Sequence, residues 1–359
     1  VINHRTLYIV KNKTIIANFL VICYNQYKSV QIITKELLIM VFNIGCDTGY
    51  GYTMSSSALG EIIFSSYIEK ITKRKAMSIR ENIKTLDENN ILVKYNDDYY
   101  MMGRLCEKHF MDTTRRIDLN RIGNQFHLVQ LLTSISLNTK GINNIHVNLM
   151  VGLPMRSKDD RGDFKDWLEG EKFTLTFLTK DKDYTKVISI DKCYCSLQPI
   201  FPIFSALDPQ DQTKNILSLD IGYSSTDGIR FEDGEMSMSA QDQIDLIGTQ
   251  RIQAELEEEI IGKYKGAYKH FLSMSERSLQ LALETGVFSI NNKQLDIQDV
   301  LEDALENYAD YIFKEIQRRY IQKLVDMDIV LVSGGLACSE LFMQRLASKF
   351  KGYQISVAT

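Results

Sequence analysis

Apolar residues along this chain fall into short blocks of strand length, interleaved with stretches at helical spacing, so the pattern is mixed α/β. The run at 39–44 predicts a strand leading to Asp47 and a glycine-rich turn, with further short strands at 53–57 and 61–67. A helix is predicted near 78–89, ahead of the hairpin ILVKYNDDYYMMG with Asn96-Asp97 as its turn. Ile122, Phe126, Val129, Leu131, Leu132 and Ile135 recur at helical spacing over 120–137. A strand at 145–151 ends in Gly152-Leu153-Pro154, and FTLTFL and KVISI read as a hairpin around the polar turn 179–183.

The second half repeats the scheme. A short strand at 216–219 enters another acid-plus-glycine turn, and 241–284 is mostly helical in composition. Asp296 reads as the N-cap of a helix through Leu324 with the apolar stripe Leu301, Leu305, Tyr308, Ile312, Ile316 and Tyr320, a core-packing face. A strand at 329–332 empties into Ser333-Gly334-Gly335, a new helix starts at Ser339, and one more strand is predicted near the end.

Three turns stand out as candidate chemistry. VFNIGCDTGYGYTM places Asp47 before Gly49 and Gly51, and ILSLDIGYSSTDGI places Asp220 before Gly222 and small hydroxyl residues. DIVLVSGGLACSELF is a strand, a glycine pair and a helix start. Taken singly, each reads as an ordinary turn. Their order suggests two similar lobes, each offering a glycine-rich hairpin to a shared cleft. Consecutive backbone N–H groups in such turns bind anions, and glycine admits a phosphate closely. Mg²⁺ prefers oxygen ligands and retains waters, so Asp47 and Asp220 would hold it partly through water. Gly334 and Gly335 would let a base and ribose lie against the backbone.

At 359 residues, two lobes are the default expectation. The net charge of −4 gives no general attraction to nucleic acid or anionic membrane, so any DNA contact must be local or made through a partner. The six cysteines form no CxxC pair and the five histidines are scattered, which excludes zinc-ligand spacing and reads as free thiols in a reducing cytosol. Residues 1–39 carry a signal-like apolar run at 15–24 that is too short to span a bilayer and lacks a small-residue cleavage site. With Met40 directly before the first strong strand, 1–39 is expected to be a leader or an over-extended reading frame outside the fold.

The three motifs resemble those of the actin-like ATPase superfamily, which includes actin, the seventy-kilodalton chaperones, sugar kinases and bacterial filament proteins. EIIFSSYI, YYMMGRLC, VNLMVGLPMRSKDD followed by DWLEGEKFTLTF, and LALETGVF look like the ParM branch, the plasmid-segregation actins. The resemblance covers roughly 40–359. It implies a two-lobed actin-like (ribonuclease H-like) α/β fold with a nucleotide cleft, lobe I at 40–215 and lobe II at 216–359. Asp47, Gly49, Gly51 and Thr53 match the first phosphate loop; Asp220, Gly222, Ser225, Thr226 and Asp227 match the second; Gly334 and Gly335 match the adenosine motif. Gln198 falls where relatives orient the attacking water, so Gln198, Asp47 and Asp220 are the catalytic candidates, with Asp47 and Asp220 on Mg²⁺.

The resemblance implies a slow ATP (or GTP) hydrolase in the cytoplasm, assembling with itself into filaments and coupled to DNA through an adaptor on a centromere-like site. No membrane and no direct nucleic-acid contact are implied. Three departures bear on this. Met54 stands where relatives usually have lysine, which removes a phosphate-neutralising cation. Tyr223 and Ser224 stand where relatives often have glycine. The helix with which relatives end is not found, so the sequence is expected to be cut short. The alternatives are a small-molecule kinase of the same superfamily, a cytoskeletal or phage-encoded filament with another cargo, and a non-hydrolysing scaffold.

Overall fold

The computed structural model describes residues 6–9, 40–109, 120–237, 243–264, 274, 276–290, 293–320, 327–351 and 356–358. The chain divides into two compact units, residues 14–201 in one and 202–359 together with 1–13 in the other. Residues 202–215 therefore join the second unit, ahead of the boundary expected at 216.

The unit formed by 14–201 is built on a nine-stranded sheet. Near one edge lies a hairpin, Val41–Thr48 antiparallel to Tyr52–Ser57, with Gly60–Ser65 outside it as the edge strand and Val41–Thr48 also parallel to Asn144–Leu153. Asn144–Leu153 continues the sheet into the long strand Asp183–Leu197, which pairs antiparallel with Lys172–Leu178. The 91–102 hairpin forms as read, Ile91–Tyr95 with Asp98–Met102, and Asn96 takes the positive φ of 53° that its turn requires.

Helix boundaries moved to where caps exist. The helix expected over 78–89 is Lys73–Arg80, because the Thr72 hydroxyl accepts from Lys75 N and sets the start. The helix expected from 120 is Gln125–Asn138, begun by the Asn124 side chain, which accepts from Phe126 N and His127 N. Arg161–Leu168 is a helix that the apolar pattern did not announce.

The second unit repeats the hairpin-plus-parallel-strand plan. Ile216–Ile221 is antiparallel to Ser225–Glu232 and parallel to Ile329–Ser333. The stretch 241–284 is not uniformly helical. Gln243–Ile247 pairs with Ser225–Glu232, and the helices Gln250–Tyr264 and Glu276–Thr285 follow. Asp296 accepts from Gln298 N through Oδ1 at 3.1 Å and the helix is Gln298–Tyr320; Leu324 lies outside the described residues. All six stripe residues are buried in this unit's core.

Thr6–Ile9 runs parallel to Ile329–Ser333, as does the short strand Ser356–Ala358. Thr6–Ile9 was expected outside the fold, but the edge of Ile329–Ser333 offers backbone donors and acceptors that a further extended segment can satisfy. The signal-like run at 15–24 lies outside the described residues. Among the described residues no helix is long and apolar enough to cross a membrane.

Candidate functional site

The first hairpin places Asp47 next to last in its strand, opposite Met54 across the ladder. Gly49 lets the turn close tightly, since a Cβ there would stand 3.0 Å from the Tyr52 carbonyl oxygen and the turn would have to give slightly. Ser66 clasps the loop, its Oγ donating to the Gly49 carbonyl at 2.6 Å and meeting the Thr53 hydroxyl at 3.0 Å, while its N–H donates to the Gly51 carbonyl at 3.1 Å. Thr53 is fully buried, and its hydroxyl is engaged with Ser66 inside the hairpin. Ser66 was not singled out from sequence, since a serine after a short strand carries no local signal.

Asp47 is buried, and burial holds its carboxyl above the ordinary carboxylate range; the Arg121 guanidinium and a hydrogen bond from Gln198 pull the other way. Gln198 Nε2 donates to Asp47 Oδ1 at 2.6 Å, so the two residues read from distant motifs form one pair within this unit. Gly152 makes that possible: a Cβ on it would meet a Phe201 ring carbon at 2.7 Å and Gln198 Cγ at 3.1 Å. The strand-ending Gly152-Leu153-Pro154 was visible in the sequence, but its service to Gln198 was not. Beside the loop, His127 Nε2 lies 3.2 Å from the Thr48 hydroxyl, and burial, reinforced by Arg121, keeps the imidazole neutral.

In the other unit, Asp220 stands opposite Asp227 across its ladder, which puts both carboxylates on one face of the hairpin. Ser333 Oγ donates to Asp220 Oδ1 at 3.0 Å, and Ser225 Oγ donates to Asp227 Oδ2 at 2.9 Å. Thr226 faces the opposite side, fully buried with its hydroxyl 2.9 Å from the Tyr308 hydroxyl. Like that of Thr53, its hydroxyl is engaged inside the fold.

The loop itself docks on the approach to helix Gln250–Tyr264. Gly248, Thr249 and Gln250 donate their N–H groups to the carbonyls of Ser224, Gly222 and Tyr223 at 3.1, 3.0 and 3.0 Å. A Cβ on Gly248 would lie 2.5 Å from the Gly222 carbonyl oxygen, so the loop needs glycine at 248, a residue the sequence reading passed over.

The two expected adenosine-motif glycines differ in role. Gly334 has φ of +95°, and a Cβ on it would sit 2.3 Å from the Ile221 carbonyl oxygen; its space is filled by this chain's own strand. Gly335 meets nothing within 4 Å on its Cβ side and is the one with room for a flat ligand. Gly334 is thus fitted closely against its own chain on its Cβ side, and Gly335 is open there.

The hairpins match residue for residue. Asp47, Gly49, Tyr50 and Thr53 correspond to Asp220, Gly222, Tyr223 and Thr226, and Met54 occupies the place of Asp227. Among the described residues no group of three or more His, Cys, Asp or Glu gathers to hold a metal. The donors at Asp220 (two carboxylates on one face and two serine hydroxyls) are all oxygen. That set suits Mg²⁺, which binds through one or two carboxylates and completes its shell with water and phosphate oxygens. The described cysteines are free thiols, three of them buried.

A family model described as the N-terminal domain of actin-like proteins matches residues 45–200. A second, described as the C-terminal domain of an archaeal, MreB-like actin homologue, matches residues 218–347. Among solved structures, the ParM subunit of a 15-stranded filament from Clostridium botulinum is 18% identical with a TM-score of 0.69, over 87% of this chain and 93% of that one. The actin-like protein Alp7A is 15% identical with a TM-score of 0.69, over 88% and 90%. An archaeal actin homologue in complex with ADP is 17% identical with a TM-score of 0.65, over 88% and 92%. At these identities the likeness is one of fold. No curated protein matches the chain in sequence.

Proposed function

We propose that the chain, which matches two models of actin-like domains and has the actin-like fold, is a nucleotide-dependent filament-forming ATPase of the ParM type, one that segregates plasmid DNA. The observation that carries the nucleotide part is the Asp47–Gln198 pair on a glycine hairpin, matched in the other unit by Asp220 on a hairpin of the same register. In this reading Asp47 and Asp220 hold Mg²⁺ of Mg·ATP (or Mg·GTP) partly through water. The backbone of Gly49, Gly51 and Thr53, and of Gly222, Ser225 and Thr226, receives the phosphates, with Asp227 beside Asp220. Gly335, with Gly334 shaping its turn, receives the nucleoside.

Bound Mg²⁺ would neutralise phosphate charge as it builds up. The rest falls to this chain's own groups. The Gln198 amide gives one of its two N–H donors to Asp47, which fixes the side chain and leaves Oε1 to accept from a water. An amide positions water without taking its proton outright, so slow hydrolysis follows. Hydrolysis that lags assembly would let filaments grow and then fall apart, in the cytoplasm and under an adaptor that carries the DNA-binding surface. The ParM filament among the similar structures and the mildly acidic charge of −4 support self-assembly and DNA contact through a partner.

The test is light scattering and high-speed pelleting with Mg²⁺ plus ATP, GTP or no nucleotide, alongside phosphate release. Nucleotide-dependent pelleting with delayed phosphate release is expected. Protein that binds nucleotide but never pellets would overturn the filament reading in favour of a small-molecule kinase. Normal turnover and assembly in Asp47→Ala or Asp220→Ala would overturn the site.

A further inference from the structure

The first phosphate loop has methionine at 54, and the matching place in the second hairpin holds Asp227, so neither hairpin supplies a cation from that position. A positive charge nevertheless stands against the first loop. Arg121, in the turn before helix Gln125–Asn138, is only 5% exposed. Its Cζ lies 5.2 Å from the centre of the Tyr50 ring, and Tyr50 is in the loop between Gly49 and Gly51. Arg156 reaches the same ring, at 5.5 Å. Arg121 also lines, with Thr48, Gly49, Tyr50 and His127, a small cavity of about 30 Å³ beside the loop.

What marks Arg121 out is its unmet bonding. Among the described residues, its Nη1 is buried without a hydrogen-bond partner. Burying a guanidinium nitrogen without a hydrogen-bond acceptor is costly, because its lost hydration is not replaced. Such a group persists where something outside the resting chain satisfies it, and a guanidinium is shaped for phosphate oxygens. Its charge is felt nearby: it works against the burial that raises the Asp47 carboxyl, and it adds to the burial that keeps His127 neutral. His127 therefore contributes no cation of its own, and of the two guanidinium groups on the Tyr50 ring, Arg121 and Arg156, Arg121 is the more deeply buried and lines the cavity beside the loop.

We propose that Arg121 is the phosphate-binding cation of the first loop, standing in for the lysine that Met54 replaces. The inference rests on the nucleotide reading above. Tyr50 then acts as a platform: its ring face holds the guanidinium at the loop by a cation–π contact in the absence of nucleotide.

The experiment uses the full chain and calorimetric binding of Mg·ATP, Mg·GTP, adenosine and guanosine. Arg121→Met is expected to weaken triphosphate binding about tenfold to a hundredfold, the range of a lost hydrogen bond to a charged group, and to leave nucleoside binding unchanged. Arg121→Lys should retain most of the affinity. Adding Met54→Lys to Arg121→Met should restore it by returning a cation to the loop from the other side. The melting midpoint of Arg121→Met without nucleotide should equal or exceed that of the parent, since a buried nitrogen without an acceptor has been removed. Triphosphate binding by Arg121→Met at the parent's strength would overturn the proposal, as would equal loss of nucleoside and triphosphate binding with a lowered midpoint. Failure of the parent to bind either triphosphate would instead refute the nucleotide reading itself, and this inference with it.

Discussion

Single positions in the two hairpins are explained by what an added atom would strike. At Gly334 both a positive φ and the Ile221 backbone exclude a side chain, whereas Gly335 faces open space. Gly334→Ala is expected to cost about 2–5 kcal/mol in denaturant unfolding, from the left-handed backbone and overpacking together. Gly335→Ala should cost less than about 1 kcal/mol, as surface changes usually do, yet weaken nucleotide binding where the base would lie. Equal destabilisation by the two would contradict this division. Gly152 acts at one remove, through Phe201 and Gln198. Gly152→Ala should lower phosphate release about a hundredfold, as a misplacement near 1 Å can, and match Gln198→Ala. A variant with unchanged turnover would show that Gln198 need not be held where it stands.

At the scale of elements, each hairpin is held by a different partner. The first is clasped by Ser66, and the helix Gln125–Asn138 brings His127 to Thr48. The second leans on three consecutive N–H groups, of Gly248, Thr249 and Gln250, at the start of helix Gln250–Tyr264. His127 makes the first arrangement pH-dependent. Its folded pKa is depressed well below 6.5, mainly by burial, so below 6.5 the unfolded chain binds a proton that the folded chain does not. Stability from this group is fully present above 6.5 and is lost as pH falls from 6.5 toward the depressed folded value. The slope approaches about 1.4 kcal/mol per pH unit for one proton. Urea unfolding of His127→Gln across that range should show a slope shallower by up to that amount; an unchanged slope would mean that His127 titrates alike in both states. Asp47 acts in the opposite sense: its raised folded pKa erodes stability as pH climbs above 3.8 toward the folded value.

On the scale of the molecule, the two units have separate cores, one gathered behind Ile44, Leu149 and Ile190 and the other behind Leu219, Tyr308 and Val332. A ligand bound only by the folded chain stabilises it by mass action. Mg·nucleotide at a hundredfold excess over Kd should therefore add about 2.7 kcal/mol to unfolding. Asp47→Ala and Asp220→Ala, in different units, should each abolish the gain in calorimetric melting. Retention of the full gain by either variant would remove that residue from the nucleotide site.

The alternation of apolar residues and the placement of turn residues determined most strands and the helix carrying Tyr308, because burial on one face writes its period into the chain. The repeated Asp-x-Gly turns likewise made both hairpins legible, since few residues other than glycine fit such turns. Helix starts were less legible at Lys73–Arg80 and Gln125–Asn138, where a single capping side chain outweighed the apolar pattern. Only the tertiary structure decided which side of a hairpin a residue faces and what lies across from it. That is how Thr53 and Thr226 turned inward, Gln198 came to Asp47, Gly248 came under the second loop, and Arg121 came to the first. Those pairings join residues far apart in the chain, and no local spacing records a contact that forms only when distant segments pack.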